Sequence, residues 1–217
     1  YLASLRQDRR FQAGEGVTSR YFARVLSAAV DWLVTVDPHL HRNPDLASLY
    51  RIPTRRVSAA PRVAQWIGEH VPDAVLFGPD GESEQWVRDI ALRAGVPFQV
   101  LSKVRHGDRD VEVSLPDASA DSGRTPVIVD DIVSSGRTMI ETLGHLHRVG
   151  LPPAICIAIH AVFSGQAYEQ LLAGGASRVV STDTIPHPSN AIGLAGLLTK
   201  AVDALFDDEP SKEKHDA

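Results

Sequence analysis

Runs rich in apolar residues alternate with stretches of helical periodicity along most of the chain. The runs that favour buried strands recur at 32–36, 74–77, 98–104, 127–129, 155–159 and 178–181. Stretches whose apolar positions follow helical spacing lie before, between or after them, at 22–29, 63–67, 83–94, 138–149, 167–173 and 189–206. This alternation predicts an α/β fold in which helices cover a right-handed, doubly wound sheet.

A domain boundary is indicated in the first third of the chain. The stretch 51–61 carries two prolines and three arginines without clear periodicity, as linkers between domains often do. We therefore expect a first domain at 1–56 and a second at 57–206, with the last helix able to pack back on the first domain. The charged tail at 207–217 is expected to be disordered.

Composition narrows the class of protein without naming a function. With 43% hydrophobic residues among 217, the chain can bury one full core and part of another. A net charge of −5 argues against a general nucleic-acid binder. A single cysteine, Cys156, excludes an intrachain disulfide framework and suits core packing. No apolar stretch approaches the roughly 20 residues of a membrane span, so we expect a cytoplasmic protein without a membrane partner.

The most informative segment is 126–139, which reads PVIVDDIVSSGRTM. An apolar strand leads to two carboxylates, Asp130 and Asp131, at the edge where open α/β sheets keep their ligands. The loop that follows can wrap backbone N–H groups and hydroxyls around a phosphate at a helix N-terminus, and its residues are Ser134, Ser135, Gly136, Arg137 and Thr138. The carboxylates would accept ribose hydroxyls or a hydrated metal. The plainer alternative is a solvated acidic turn with a serine cap.

This pattern resembles the phosphoribosyl-pyrophosphate signature of type I phosphoribosyltransferases and of ribose-phosphate diphosphokinases. Five further segments resemble the diphosphokinases in the order of that enzyme, from Tyr1 to about Leu205: YLASLRQDRRFQAGEGVTSRYFARVL, TVDPHLHR, FGPDGESEQW, LSKVRHGDRDVEV and TDTIPHPSNAI. The diphosphokinase interpretation therefore leads. It implies two phosphoribosyltransferase-like doubly wound domains, of which the first is expected to be incomplete because Tyr1 begins in mid-motif.

The resemblance also implies an activity and its participants. The family transfers the diphosphoryl group of ATP to ribose 5-phosphate, with Mg²⁺ as cofactor, and assembles into homo-oligomers built from dimers, up to hexamers. By resemblance, Lys103 and Arg105 are the catalytic cations over the transferred group. A solvated hairpin edge is their alternative. The loop 134–138 with its two preceding aspartates would bind ribose 5-phosphate.

The remaining residues implied by the resemblance lie elsewhere along the chain. Arg6, Gln7 and His39 would bind ATP, and His39 and Asp80 would hold the magnesium ion. Two protein ligands suit Mg²⁺, which keeps several waters and phosphate oxygens. Each residue also has a plainer interpretation, as part of a salt-bridged surface run, as a loop histidine or as a turn aspartate.

Three departures from the family pattern leave other functions open. Pro38 stands where the family has leucine, Arg137 where many members have a small residue, and Ser134 where some have aspartate. One alternative is a type I phosphoribosyltransferase that consumes the same sugar diphosphate. The other is a catalytically silent homologue that regulates an active partner.

Overall fold

The computed structural model describes residues 1–40, 42–101, 121 and 123–207, together with the backbone of 103–106 and 110–113. Within these residues the α-helices are α1 (Thr18–Ala29), α2 (Ala60–His70), α3 (Glu84–Ala94), α4 (Arg137–Arg148), α5 (Ala167–Ala173) and α6 (Ala195–Asp207). Short 3₁₀ turns cover Ala3–Arg6 and Gly81–Ser83.

The strands of the described residues follow the same chain order. They are β1 (Leu33–Val36), β2 (Thr54–Val57), β3 (Ala74–Gly78), β4 (Phe98–Val100), β5 (Lys103–His106), β6 (Asp110–Val113), β7 (Thr125–Val133), β8 (Ile155–Ala161), β9 (Arg178–Thr182) and β10 (Asn190–Ile192). The α/β class expected from the sequence is confirmed.

The chain divides into two compact units. Unit 1 comprises Tyr1–Ser58 and the chain from Leu194 onward, and unit 2 comprises Ala59–Gly193. The assignment of family domains to 1–56 and 57–206 stays a prediction. The expected disordered tail lies, from residue 208 onward, outside the described residues.

Unit 2 is built on a six-stranded sheet with the order β10-β9-β8-β7-β3-β4, in which neighbouring strands are parallel. The order places β7 in the middle, and its Val127, Ile128 and Val129 are almost completely buried, as the sequence predicts for a central parallel strand. Because all strands run the same way, their carboxyl ends meet at one edge of the sheet.

Helices cover both faces of this sheet. On one face, Leu143 and Leu146 of α4 and Leu171 of α5 pack with Ile128 of β7 and Cys156 of β8. On the other face, α3 packs against β3, β4 and β7, and α2 packs against α3. Burial raises the pKa of Cys156 to about 12, so this thiol is a core residue and not a nucleophile.

Unit 1 has a smaller scaffold. Strands β1 and β2 pair in parallel, and α6 packs on both of them. The rings of Trp32 and Phe206 meet edge to face at 5.7 Å. A separate apolar cluster joins Leu5, Ala23 and Leu46 to the ring of Tyr50.

Three sequence expectations were wrong in detail. The stretch 51–61 contains the strand β2. Two of its four residues are exposed arginines at the sheet edge, so the stretch shows no apolar pattern typical of a strand. The strand expected at 98–104 is split into β4 and β5, and β5 pairs with β6 in an antiparallel hairpin. The helix expected from 189 begins at Ala195, because Asn190–Ile192 form β10 beside β9.

No helix among the described residues combines the length and apolar character that crossing a membrane requires.

Candidate active site

The two acidic residues of the 126–139 segment lie at the open edge of the unit 2 sheet. The pairing of β7 with β3 ends at Ile128 and Phe77, whereas its pairing with β8 continues to Val133. Asp130 and Asp131 therefore lie within β7 and not after its end, which corrects the sequence expectation. Beside these aspartates, β7 is no longer paired with β3, whose last paired residue is Phe77. From there β3 continues through Gly78 toward Asp80.

Asp80 shapes the turn that begins α3. Its Oδ1 accepts hydrogen bonds from the backbone N–H groups of Glu82 at 3.0 Å and Ser83 at 3.2 Å. The Ser83 hydroxyl donates back to the Asp80 carbonyl at 2.6 Å. This is a capping box, the structural role that a turn aspartate often has. A carboxylate offers about four acceptor positions, so capping leaves capacity for a cation.

The three carboxylates act on each other electrostatically. Burial, then the neighbouring charge of Asp131, then that of Asp80 raise the pKa of Asp130 well above its usual range. The backbone N–H of Asp131, which donates to Asp130 Oδ1 at 3.0 Å, acts in the opposite direction. The folded protein thus binds a proton on Asp130 more tightly than the unfolded chain does. The contribution of this proton to the stability of the fold is present at low pH. It is lost as the pH rises from the ordinary pKa of an aspartate toward the raised pKa of Asp130.

A tight loop joins β7 to α4. Gly136 has a φ of 70°, in the left-handed region that residues with side chains rarely adopt. A Cβ placed there would lie 3.4 Å from the Leu171 side chain, which is ordinary contact, so the constraint is the backbone angle and not space. The glycine lets the chain turn directly into the helix.

The start of α4 provides the donors that an anion needs. The Ile140 N–H donates to the Gly136 carbonyl at 2.9 Å and closes the first turn. The N–H groups of Arg137, Thr138 and Met139 precede that bond and so have no intrahelical acceptor. Thr138 is half-buried and Arg137 is exposed. Helix-terminal N–H groups, loop hydroxyls and the helix dipole together favour a phosphate at this position.

A second segment supports the loop, and it was missed in the sequence. The backbone N–H of Phe163 donates to Val133 at 2.9 Å, and that of Ser164 donates to Ser134 at 3.0 Å. The Ser134 and Ser164 hydroxyl oxygens are 3.5 Å apart. The ring of Phe163 packs against His187 with centroids 4.7 Å apart. The signal available in the sequence was the Ser164–Gly165 pair, which lies shortly after the end of the buried strand β8 at Ala161.

The residues expected to bind ATP lie in unit 1. Arg6 is exposed at the end of the first 3₁₀ turn, and His39 is half-buried after β1. Between β1 and His39, Asp37 is buried with a φ of 31°, an unusual backbone angle for an aspartate. Gln7 donates to the Gly16 carbonyl at 3.3 Å and accepts from the Thr18 N–H at 3.0 Å, so its amide ties down the following loop.

The two expected catalytic cations belong to the hairpin. Lys103 pairs with Val113 and Arg105 with Val111 in the β5–β6 ladder. Their side chains lie outside the described residues, so their catalytic role stays a prediction.

The structure thus brings together Asp80, Asp130, Asp131 and the loop 134–138 in unit 2, while Arg6, Gln7 and His39 belong to unit 1. Within the described part of the chain, no group of three or more His, Cys, Asp or Glu side chains is arranged to hold a metal ion by itself. Any cation here would take further ligands from water or substrate.

Comparison with known proteins assigns the family. Residues 52–195 match the phosphoribosyl transferase domain. The ribose-phosphate pyrophosphokinase of Methanopyrus kandleri is 35% identical over 94% of this chain and 70% of its own length. The enzyme of the same name from Methanothermobacter thermautotrophicus is 33% identical over 91% of this chain and 68% of its own length. The chain belongs to the ribose-phosphate pyrophosphokinase family, which is another name for the ribose-phosphate diphosphokinases.

A solved structure agrees with this assignment. The phosphoribosylpyrophosphate synthetase from Mycobacterium smegmatis matches with a TM-score of 0.78 and 27% identity, over 94% of this chain and 69% of that chain. The family resemblance expected from the sequence is confirmed. The expectation of an enzyme family of the transferase (kinase) class is confirmed as well. The transferase-domain match includes the Asp80, Asp130 and Asp131 cluster and the whole loop 134–138.

Proposed function

We propose that the protein transfers the diphosphoryl group of ATP to the 1-hydroxyl of ribose 5-phosphate, giving 5-phosphoribosyl 1-pyrophosphate and AMP. The observation that carries the proposal is the pair Asp130 and Asp131 beside a loop suited to phosphate, at the carboxyl edge of a parallel sheet. Phosphate and vicinal hydroxyls are the two groups that distinguish a ribose phosphate from most metabolites. The family names of the relatives support the same reaction.

The sugar phosphate is held from two sides in this proposal. The N–H groups at the start of α4 and the hydroxyls of Ser134, Ser135 and Thr138 bind the 5-phosphate, and Gly136 permits close backbone approach. Asp130 and Asp131 accept hydrogen bonds from the ribose hydroxyls, which orients the 1-hydroxyl toward the donor. The raised pKa of Asp130 fits this role, because hydroxyl donors offset the repulsion among the carboxylates.

Transfer requires neutralisation of the triphosphate. The 1-hydroxyl oxygen attacks the β-phosphorus, the bond from that phosphorus to the oxygen of the α-phosphate breaks, and AMP leaves. Lys103 and Arg105 stabilise the charge on the moving group, and Arg6, Gln7 and His39 bind ATP. Preorganised cations are the principal means of accelerating phosphoryl transfer.

Magnesium fits the carboxylates of unit 2. Hard oxygen ligands suit this ion, and a site with few protein ligands leaves positions for phosphate oxygens and water. Asp80 would hold it, with His39 associated through the triphosphate, and the ion would neutralise the charge that develops on the phosphates. Homo-oligomers built from dimers are proposed on the family resemblance alone, and analytical ultracentrifugation tests them.

The test is AMP release from ATP in the presence of ribose 5-phosphate and Mg²⁺, followed by chromatography. We expect AMP and 5-phosphoribosyl 1-pyrophosphate to form in equal amounts, and Asp130→Asn to lower the yield of both when ribose 5-phosphate is below saturation. Asp89→Asn, an exposed change on α3 in the same unit, is the matched control and should retain activity. Pyrophosphate release from the sugar diphosphate and a nucleobase would instead identify a phosphoribosyltransferase. Binding of ribose 5-phosphate without turnover in either assay would indicate the silent regulatory homologue.

A further inference from the structure

The segment 182–190 reads TDTIPHPSN, and the proposed reaction gives it no role. It leads from the carboxyl end of β9 into β10, at the same edge of the unit 2 sheet as the loop 134–138. Polar side chains are buried here: Ser181, Thr182 and Ser189 are each at most 6% exposed. A buried polar cluster fixes one geometry when its members satisfy one another's hydrogen bonds.

Hydrogen bonds hold the imidazole of His187 in one orientation. The backbone N–H of Ser189 donates to its Nδ1 at 3.1 Å, so Nδ1 is an acceptor and the ring proton is on Nε2. The Ser189 hydroxyl lies 2.8 Å from the same Nδ1 and 2.7 Å from the Ser181 hydroxyl. Asn190 closes the circuit, because its amide nitrogen donates to Ser181 at 2.8 Å and its Oδ1 accepts from the His187 backbone N–H at 2.9 Å.

The imidazole of His187 also packs against two aromatic rings. Its centroid lies 4.7 Å from that of Phe163 and 5.0 Å from that of Tyr168 on α5. The backbone N–H of Phe163 donates to the Val133 carbonyl at 2.9 Å, and the next N–H donates to the Ser134 carbonyl at 3.0 Å. Two contacts therefore connect His187 to the phosphate loop, first ring to ring and then backbone to backbone.

The beginning of the same segment is fixed to β8. The Thr184 hydroxyl donates to the Ile159 carbonyl at 3.0 Å. It therefore accepts from Nδ1 of the fully buried His160, 2.9 Å away. His160 is paired with Ile132 of β7, two positions before the loop. The segment is thus anchored at Thr184 and again at His187, which limits how far the imidazole can move.

We propose that His187 is a positioning residue for the loop 134–138, an inference that rests on the proposed function of this loop in binding ribose 5-phosphate. The imidazole holds Phe163 in place, and Phe163 holds the backbone at Val133 and Ser134. The loop therefore has its binding geometry before the ligand arrives. A loop that is already ordered loses less conformational entropy on binding, which raises affinity. Bound sugar phosphate holds the loop by itself, so the effect falls on affinity and not on the rate of the bound complex.

Calorimetric titration with ribose 5-phosphate tests the effect on affinity. His187→Ala should weaken binding by about tenfold, with ATP affinity and the rate of AMP release at saturating substrate each within about twofold of the parent. His187→Phe keeps a ring against Phe163 and should stay within about threefold of the parent. His147→Ala is the matched control, because His147 is an exposed histidine in the last turn of α4, at the far end of that helix from the loop. It should leave binding unchanged.

A double-mutant cycle tests whether His187 acts through Phe163. Phe163→Leu removes the ring and keeps the backbone hydrogen bond, so it should also weaken ribose 5-phosphate binding by about tenfold. Combined with His187→Ala, the loss should remain about tenfold and not reach about a hundredfold, because both changes interrupt the same connection. Additive losses would overturn the proposal. If His187→Ala does not fold, unchanged affinity in Phe163→Leu, or a tenfold loss in His187→Phe, would overturn it.

Hydrogen–deuterium exchange of the ligand-free protein gives a measurement that needs no substrate. Peptides covering 133–138 should exchange about tenfold faster in His187→Ala than in the parent, while peptides of β3 keep their rate. Faster exchange throughout unit 2 would show a general structural role and would contradict the proposal. If the parent does not bind ribose 5-phosphate but the loop exchanges faster in His187→Ala, the proposed function fails and the positioning stands. If the parent turns over ribose 5-phosphate and His187→Ala changes neither exchange nor affinity, only the positioning fails.

Discussion

The two units carry their polar groups in different ways. Unit 2 presents backbone N–H groups and small hydroxyls from a loop tied to a six-stranded sheet, and its nearby charges are negative. Unit 1 presents arginine side chains around a cavity and has only a two-stranded sheet. The comparison therefore sets a surface defined by backbone geometry against a surface defined by the charge of its side chains.

The strongest way to break this contrast is to remove the backbone geometry of the loop. Gly136→Val forces a β-branched residue into a left-handed conformation, so ribose 5-phosphate affinity should fall by at least several hundredfold. Calorimetric titration with ribose 5-phosphate measures the loss. Gly144→Val on α4, where a new side chain would meet open space, is the control and should leave binding within about threefold. Normal binding by a folded Gly136→Val protein would mean that the phosphate is not held by this loop.

Lys103 is proposed to act on the rate of the reaction and not on substrate binding. Lys103→Ala should lower kcat and kcat/KM together by roughly a hundredfold, about 3 kcal/mol, because the ammonium stabilises charge only as the diphosphoryl group moves. Lys103→Arg should restore only part of the rate, since a planar guanidinium differs from a compact ammonium. Steady-state AMP release by an active parent protein gives both constants. An Ala variant that turns over at the parent rate would make Lys103 a surface residue.

The negative side of the unit 2 site gives a paired prediction. Asp130→Asn should weaken ribose 5-phosphate by roughly thirtyfold while leaving ATP affinity within about twofold, because only the sugar contacts this carboxylate. The same change should raise the thermal stability of the ligand-free protein, since it removes a carboxylate whose charge is disfavoured by burial and by the neighbouring Asp131 and Asp80. Calorimetry and thermal unfolding at neutral pH measure the two effects. Equal losses of affinity for both substrates would place Asp130 outside the sugar site. A lower Tm would contradict the repulsion among the three carboxylates.

Much of unit 2 could be predicted from the sequence because its signals are local and strong. Apolar runs marked β3, β7, β8 and β9, and the segment 126–139 marked the loop that we propose binds phosphate. The short strand β10 escaped because Asn190–Ile192 carries no clear alternation and gains its place only by pairing with β9. Ser164 escaped because it reaches the loop through a backbone hydrogen bond, and the Ser164–Gly165 pair alone is a weak signal of such a contact.

Unit 1 was harder to predict because its features depend on contacts between distant positions. β2 has the sequence TRRV, and it becomes a strand only because it pairs with β1. The arginines of the cavity are scattered over residues 10–51, so no local pattern in the sequence groups them. Asp8 lies beside Arg9 and Arg10 in the sequence, but it pairs with Arg42, 34 positions away. The orphaned hydroxyl of Tyr50 is visible only once its surroundings are folded.

The double duty of Asp80 restricts which residues that position can accept. Its Oδ1 accepts hydrogen bonds from two N–H groups of the 3₁₀ turn that precedes α3, and its charge acts on Asp130. Asparagine would preserve the cap but abolish the charge, and glutamate would preserve the charge but extend the carboxylate past the cap. Aspartate alone satisfies both demands. In a library covering all substitutions at this position, we expect selection for activity to remove variants as strongly as it does at a glycine in a tight turn. The variants should fall into two classes, one that folds but is inactive and one that is active but unstable.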